Sequence, residues 1–170
     1  NLTDGMDGLA AGTLMVASFA MMALCYIAGQ AEAAQTLMFP HVAGAKELMV
    51  VTGAMAGACL GFLWFNCAPA QVFMGDTGSL PLGGLLAYIA VAIRQEILFL
   101  IIGAIFFMEM VSVVLQVGYF KATGGKRILR CSPIHHHFHL KGWSEQQVVL
   151  RFWVLAVVFT MIALVSIKLR

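Results

Sequence analysis

Five apolar runs dominate this sequence and decide what it can fold into. Their approximate bounds are residues 9–28, 48–65, 80–93, 97–120 and 148–167. A helix of about 20 apolar residues crosses a bilayer, and the third run reaches that length only with its flanking turn. Because lipid offers no hydrogen-bond partners to an open backbone, each run must be helical. The sequence therefore predicts an all-α, polytopic transmembrane helical bundle with five spans.

Composition supports this class, since 61% of the 170 residues are hydrophobic and only 11% are charged. A soluble domain carries about a quarter charged residues. A soluble protein is thereby excluded, and we expect no nucleic-acid partner. The chain opens on polar residues and begins with Asn1 rather than Met. We therefore expect a fragment cut within a loop.

Three polar segments, residues 1–8, 66–78 and 121–147, are each separated from the next by two spans. An even number of crossings returns the chain to the same side of the membrane. The last segment carries five basic residues: Lys121, Lys126, Arg127, Arg130 and Lys141. Basic loops favour the cytoplasm. We predict that all three segments converge on a cytoplasmic face.

The central polar segment contains the sequence QVFMGDTGSLP, residues 71–81, with Asp76 between glycines. A carboxylate just before a helix N-terminus suits a hard cation and the phosphate oxygens that it bridges. The alternative is a capped helix entry with one solvated Asp.

Polar residues mark the starts of two helices. Ser79 is a plausible N-cap with Pro81 in the first turn, and Ser144 with Gln147 fits a capping box.

The first and last polar segments add candidate ligands. Asn1, Asp4 and Asp7 are three residues apart, so a helical turn would place them on one face, although the adjacent glycines also suit plain turns. The last segment contains CSPIHHHFHLKGW, and an extended backbone would direct His135 and His137 away from His136. Carboxylates with so few thiolates favour Mg²⁺ over Zn²⁺. A cationic loop facing magnesium carboxylates indicates phosphoryl transfer.

Glu109 is an acid inside the fourth span and by default a functional candidate. The sequence shows no partner for it. A structural hydrogen bond within the bundle is the alternative, and its role stays open.

Five motifs together carry a resemblance to a family. NLTDGMDGLA, GFLWFN, QVFMGDTGSL, LQVGYFK and PIHHHFHLKGW, in this order, resemble the phospho-N-acetylmuramoyl-pentapeptide transferase family, in the polyprenyl-phosphate sugar-1-phosphate transferase superfamily. The resemblance covers residues 1–170. It implies the C-terminal half of a ten-span bacterial inner-membrane enzyme, whose paired aspartates lie upstream.

The resemblance implies transfer of phospho-N-acetylmuramoyl-pentapeptide from its UDP carrier to undecaprenyl phosphate, in peptidoglycan biosynthesis. Lipid I and UMP are the products, and Mg²⁺ is required. The implied partners are the two substrates and membrane lipid, with a homodimer as one candidate assembly.

Site residues follow from matching positions. The implied catalytic residues are Asp76, which would bind Mg²⁺, and His135, His136 and His137, which would hold phosphate oxygens or other ligand groups. The implied substrate-binding residues are Asn1, Asp4, Gly5, Met6, Asp7, Asn66, Phe73 and Gln116. Among them Asp7 would bind uracil, Phe73 would stack on it, and Asn66 would support the site. His139 departs from the family, which usually has an acid there.

Two other functions remain open. A sister enzyme transfers N-acetylglucosamine-1-phosphate to a polyprenyl phosphate, but its last loop usually lacks an uninterrupted P-x-H-H-H. A divalent-metal or proton transporter could use Asp76, Glu109 and the histidines. A transporter is expected to place several polar ligands mid-membrane, where only Glu109 lies.

Overall fold

A computed structural model describes residues 1–168, which form eight helices. They are α1 (Leu9–Gly29), α2 (Ala31–Thr36), α3 (Ala45–Asn66), α4 (Gly75–Ala92), α5 (Glu96–Ile102), α6 (Ala104–Ala122), α7 (Ile134–His139) and α8 (Glu145–Lys168). The described range contains no strand. The predicted all-α class is confirmed.

Four of these helices, α1, α3, α6 and α8, are long and apolar enough to cross a membrane. The third predicted span corresponds to α4, which has 18 residues and is not among these four. The helices define a multi-pass membrane protein. The ten-span architecture of a whole enzyme stays a prediction.

Helix α1 is the centre of the bundle. Leu9, Met21 and Leu24 on this helix are all fully buried, and α1 packs against α3, α4 and α8. A helix that is apolar on every side is suited to the interior of a protein or to a membrane, and the burial of α1 shows that it faces other helices on most sides. Because segment 1–8 runs directly into α1, the polar end of the bundle is attached to its core.

One contact between α1 and α8 is especially close. The indole Nε1 of Trp153 donates a hydrogen bond to the Gly8 carbonyl oxygen at 3.1 Å. A Cβ atom at Gly12 would overlap the same indole ring. The absence of a side chain at residue 12 therefore allows Trp153 to reach the backbone at the start of α1.

Gly12→Ala is accordingly expected to destabilise the protein by about 1–3 kcal/mol, the usual cost of overpacking a filled core. Thermal unfolding in detergent measures the effect. Gly57→Ala in α3 is the matched control, since a Cβ atom there meets nothing within 4 Å. Alanine favours helix by about 1 kcal/mol over glycine, so the control should be neutral or more stable. Equal unfolding temperatures for the two variants would contradict the close packing of Trp153.

Helix α4 begins earlier than the sequence predicts. Its first residue is Gly75, at a φ of 61°, a left-handed conformation that glycine adopts without strain. Asp76 consequently lies in the first turn, where a carboxylate interacts favourably with the helix dipole. The prediction of Ser79 as N-cap is wrong, because Ser79 is an interior residue of the helix and its side chain is buried. Pro81 also follows the first turn rather than lying within it.

The fourth predicted span, 97–120, is divided at Gly103 into α5 and α6. Gly103 has φ −86° and ψ 15°, and a Cβ atom there would lie 3.0 Å from the Phe99 carbonyl oxygen. Helix α6 packs against both α7 and α8.

The last polar segment contains a helix, so the arrangement that an extended backbone would give the three histidines does not apply. They occupy α7, where successive residues are rotated by about 100°. The capping box before α8 is confirmed. Ser144 N donates to Gln147 Oε1 at 3.1 Å, and Gln147 N donates to Ser144 Oγ at 3.2 Å.

Candidate active site

Segment 1–8 lies between the other two polar segments. Asn1 Nδ2 donates a hydrogen bond to Asp76 Oδ1, at the start of α4. The backbone N–H of Ala70 donates to Asp7 Oδ2 at 2.9 Å. On its other side the segment meets α7, since a Cβ atom at Gly5 would overlap the His135 ring. The predicted convergence of the three segments at one end of the bundle is therefore observed.

Asn66, the last residue of α3, connects two of these segments. Its Oδ1 accepts a hydrogen bond from Gly8 N at 3.1 Å, and its Nδ2 donates to the Val72 carbonyl oxygen at 2.8 Å. The residue is 4% exposed. The oxygen and the nitrogen of the Asn66 amide thus both bond to the protein backbone, and this arrangement supports the site.

Asp4 and Asp76 are close enough to affect each other electrostatically. Burial raises the pKa of Asp4 above its ordinary value, and the charge of Asp76 acts in the same direction. A hydrogen bond from the Gly75 backbone opposes this rise. Two neighbouring carboxylates, one of them partly desolvated, form a site that is stabilised by a cation.

The carboxylates of Asp76 and Asp4 suit Mg²⁺ if water and substrate phosphates complete its coordination. Within residues 1–168, no three His, Cys, Asp or Glu side chains are grouped to hold a metal. Mg²⁺, however, commonly binds one or two carboxylates together with water and substrate phosphates. The oxygens of Asp76 and Asp4 fit the protein part of such a coordination shell.

Phe73 lies beside a cavity of about 410 Å³ between α3 and the start of α4. Phe62, Thr77 and Gly78 also line this cavity. The Phe73 ring is 76% exposed, so it contributes little to the core and its face is available to a ligand. An exposed aromatic ring beside a cavity can stack on a planar group.

Gln116 on α6 binds the loop that precedes α7. Its Oε1 accepts hydrogen bonds from Ile128 N at 3.1 Å and Leu129 N at 2.9 Å, and its Nε2 donates to the Leu129 carbonyl oxygen at 3.2 Å. It also lines a cleft of about 330 Å³ that includes Lys121 and Arg127. Contact between Gln116 and a nucleoside stays a prediction.

The three histidines of α7 have different surroundings. His135 is fully buried, and the His136 ring lies 4.1 Å from it, centroid to centroid. Burial lowers the pKa of His136, and the nearby His135 lowers it further. Nδ1 of His137 accepts a hydrogen bond from Arg130 N at 3.0 Å.

The pKa of His137 is lowered as well, by burial first and then by the positive charges of Lys141 and Arg130. Lowered pKa values keep His136 and His137 neutral at pH 7. A neutral imidazole offers a ligand one N–H donor and one acceptor nitrogen rather than a positive charge.

Two further contacts could not be read from the sequence. Glu109 lies beside His135, with 3.0 Å between Glu109 Oε2 and His135 Nδ1. His139 Nδ1 lies 3.1 Å from the Trp143 carbonyl oxygen, so this nitrogen carries the proton. The one available signal was the presence of an acid inside an apolar run, which identified Glu109 but not its partner.

The fold and the site together define an integral membrane protein with carboxylates, amides and histidines gathered at one end of a helical bundle. The chain belongs to glycosyl transferase family 4, whose family model matches residues 1–94.

Curated relatives extend the similarity over the whole chain. Proteins named phospho-N-acetylmuramoyl-pentapeptide-transferase from Desulforapulum autotrophicum, Desulfotalea psychrophila and Thermodesulfovibrio yellowstonii are 52%, 54% and 54% identical to it. Each alignment covers 100% of this chain and 47% of the relative. The chain thus spans about half the length of these relatives. The resemblance seen in its motifs is confirmed.

Proposed function

We propose that this chain is part of an enzyme that transfers phospho-N-acetylmuramoyl-pentapeptide from its UDP carrier to undecaprenyl phosphate. An oxygen of the lipid phosphate attacks the phosphorus next to the sugar, and UMP leaves, giving lipid I. The observation that carries the proposal is that segment 1–8 contacts both of the other polar motifs. Asn1 binds Asp76 at the start of α4, and Gly5 packs against His135 of α7. The names of the relatives support this choice of substrate class.

Asp76, with Asp4 beside it, would hold Mg²⁺. The ion would neutralise charge on the pyrophosphate of the nucleotide. Asn1 orients the Asp76 carboxylate through its amide hydrogen bond. Phosphoryl transfer depends mainly on positioning and electrostatics, which is what such a cluster of fixed polar groups supplies.

The uridine would bind beside Asp76. Phe73 stacks on the uracil ring, and Asp7 with the Gly5–Met6 backbone binds its polar edge. The 2.9 Å bond from Ala70 N already orients the Asp7 carboxylate.

We place this site on the cytoplasmic face of the bacterial inner membrane. Five exposed basic residues precede or follow α7 in the sequence: Lys121, Lys126, Arg127, Arg130 and Lys141. Basic segments are retained in the cytoplasm. A soluble nucleotide and the phosphate of a membrane lipid can meet there.

UMP release tests the proposal. The complete enzyme is prepared by joining this chain to the upstream half of a curated relative, and it is supplied with undecaprenyl phosphate and Mg²⁺. UMP is expected with UDP-N-acetylmuramoyl-pentapeptide and not with UDP-N-acetylglucosamine. The reverse preference would assign the transfer of N-acetylglucosamine-1-phosphate instead. Absence of UMP with both donors would refute the proposal that the protein is a transferase.

A further inference from the structure

Glu109 and His135 form a buried pair between α6 and α7. Both side chains are 0% exposed, and Glu109 Oε2 lies 3.0 Å from His135 Nδ1. A carboxylate enclosed in a helical bundle is costly unless a partner compensates its charge. Among the described residues, the imidazole of His135 is the group at ion-pair distance from it.

Ser112, one turn further along α6, anchors the same end of α7. Its hydroxyl donates to the Glu109 carbonyl oxygen at 2.6 Å and accepts from Ile134 N at 3.0 Å. The backbone at the start of α7 is therefore held by Ser112, whereas the ring of His135 faces Glu109. These are separate contacts and can be removed one at a time.

The pair determines how the two ring nitrogens of His135 are used. A carboxylate next to Nδ1 keeps a proton on that atom and leaves Nε2 as the other functional nitrogen. Nε2 faces the backbone of Gly5 and is buried. Within the described residues neither ring nitrogen of His135 and neither carboxylate oxygen of Glu109 has a hydrogen-bond partner, so Nδ1 and Oε2 meet at ion-pair distance and Nε2 has no polar contact. A buried polar atom without a partner is destabilising, so a ligand oxygen at this position would be stabilising.

We propose that Glu109 is a positioning residue, which acts through His135 Nδ1 to direct Nε2 toward segment 1–8 and the phosphate oxygens of the nucleotide substrate. The inference rests on the proposed function for the identity of that ligand. Glu109 itself touches no substrate. Its contribution is the orientation and protonation pattern of one imidazole ring.

A double-mutant cycle in the complete enzyme tests this role. Glu109→Gln is expected to lower kcat about 10- to 100-fold, the range for groups that orient a functional side chain, with little change in the KM of the UDP substrate. Adding Glu109→Gln to His135→Asn should cause no further loss, because Glu109 acts only through the ring. Losses that multiply in the double variant would overturn the proposal.

Ser112→Ala is the matched control, on the same helix and against the same end of α7. It removes the backbone anchor and leaves the carboxylate. Lower thermal stability with a smaller loss of kcat than in Glu109→Gln is expected. A loss of kcat in Ser112→Ala equal to that in Glu109→Gln would mean that both residues merely hold α7, and would overturn the positioning role.

Nitrogen-15 NMR of the imidazole rings gives a readout that does not require turnover. The His135 signals are identified by their absence in His135→Asn. A proton fixed on Nδ1 is expected in the unchanged protein and in Ser112→Ala, and a mixture of ring forms in Glu109→Gln or, should that variant not fold, in Glu109→Asp. Identical ring signals with and without the Glu109 carboxylate would refute the inference, even if the enzyme proved to use another donor.

Discussion

Asp76→Asn in the complete enzyme is expected to reduce UMP release by about two orders of magnitude or more, and to weaken Mg²⁺ binding in parallel. The substitution preserves the size of the side chain and removes its charge. Asp76 is the residue that Asn1 orients and whose charge raises the pKa of Asp4. Loss of that charge removes one of the two neighbouring carboxylates that would hold a cation at this end of the bundle.

The measurement is turnover as a function of Mg²⁺ concentration. Glu96→Gln is the matched control, since Glu96 is likewise an exposed acid in the first turn of a helix. It follows the far end of α4, which at 18 residues is about 27 Å long. Near-normal turnover of Asp76→Asn, with an unchanged Mg²⁺ requirement, would exclude Asp76 as the ligand.

Phe73→Ala is expected to weaken binding of the UDP substrate by about 1–3 kcal/mol, the range for a lost base–aromatic stack, or roughly 5- to 150-fold in Kd. Because the ring is 76% exposed, its removal should leave the unfolding temperature almost unchanged. Binding of undecaprenyl phosphate should also be preserved. Calorimetry with each ligand in turn separates these effects.

Trp64→Ala is the control for Phe73→Ala. Trp64 is 79% exposed, similar to Phe73, and belongs to α3, but it does not line the cavity beside Phe73. Its removal should not alter nucleotide binding. Equal weakening of nucleotide and lipid phosphate by Phe73→Ala would instead indicate a general rearrangement of residues 67–74.

The parts of the fold that depend on apolar burial could be predicted from the sequence. The first run, predicted at 9–28, is α1 at Leu9–Gly29, and the last, predicted at 148–167, lies within α8. Counting the spans between polar segments also placed segment 1–8 beside Asp76. These predictions succeed because the membrane imposes helix on every apolar run and alternates the side on which the loops lie.

Other features depend on contacts that no local pattern encodes. Ser79 resembles an N-cap, but the helix begins five residues earlier, at Gly75 in its left-handed conformation. The pairing of Glu109 with His135 joins residues far apart in sequence, through packing of α6 against α7. Which histidine of the triplet is buried follows from that packing and not from its composition.

The position of α1 has a consequence for how this protein tolerates mutation. The same helix is the centre of the core and the direct continuation of the segment that carries Asn1, Asp4 and Asp7. A change that shifts α1 therefore also moves the ligand-binding residues, and Trp153 transmits changes in α8 to Gly8 in the same way. In a systematic mutational scan, loss of stability and loss of activity should coincide along α1.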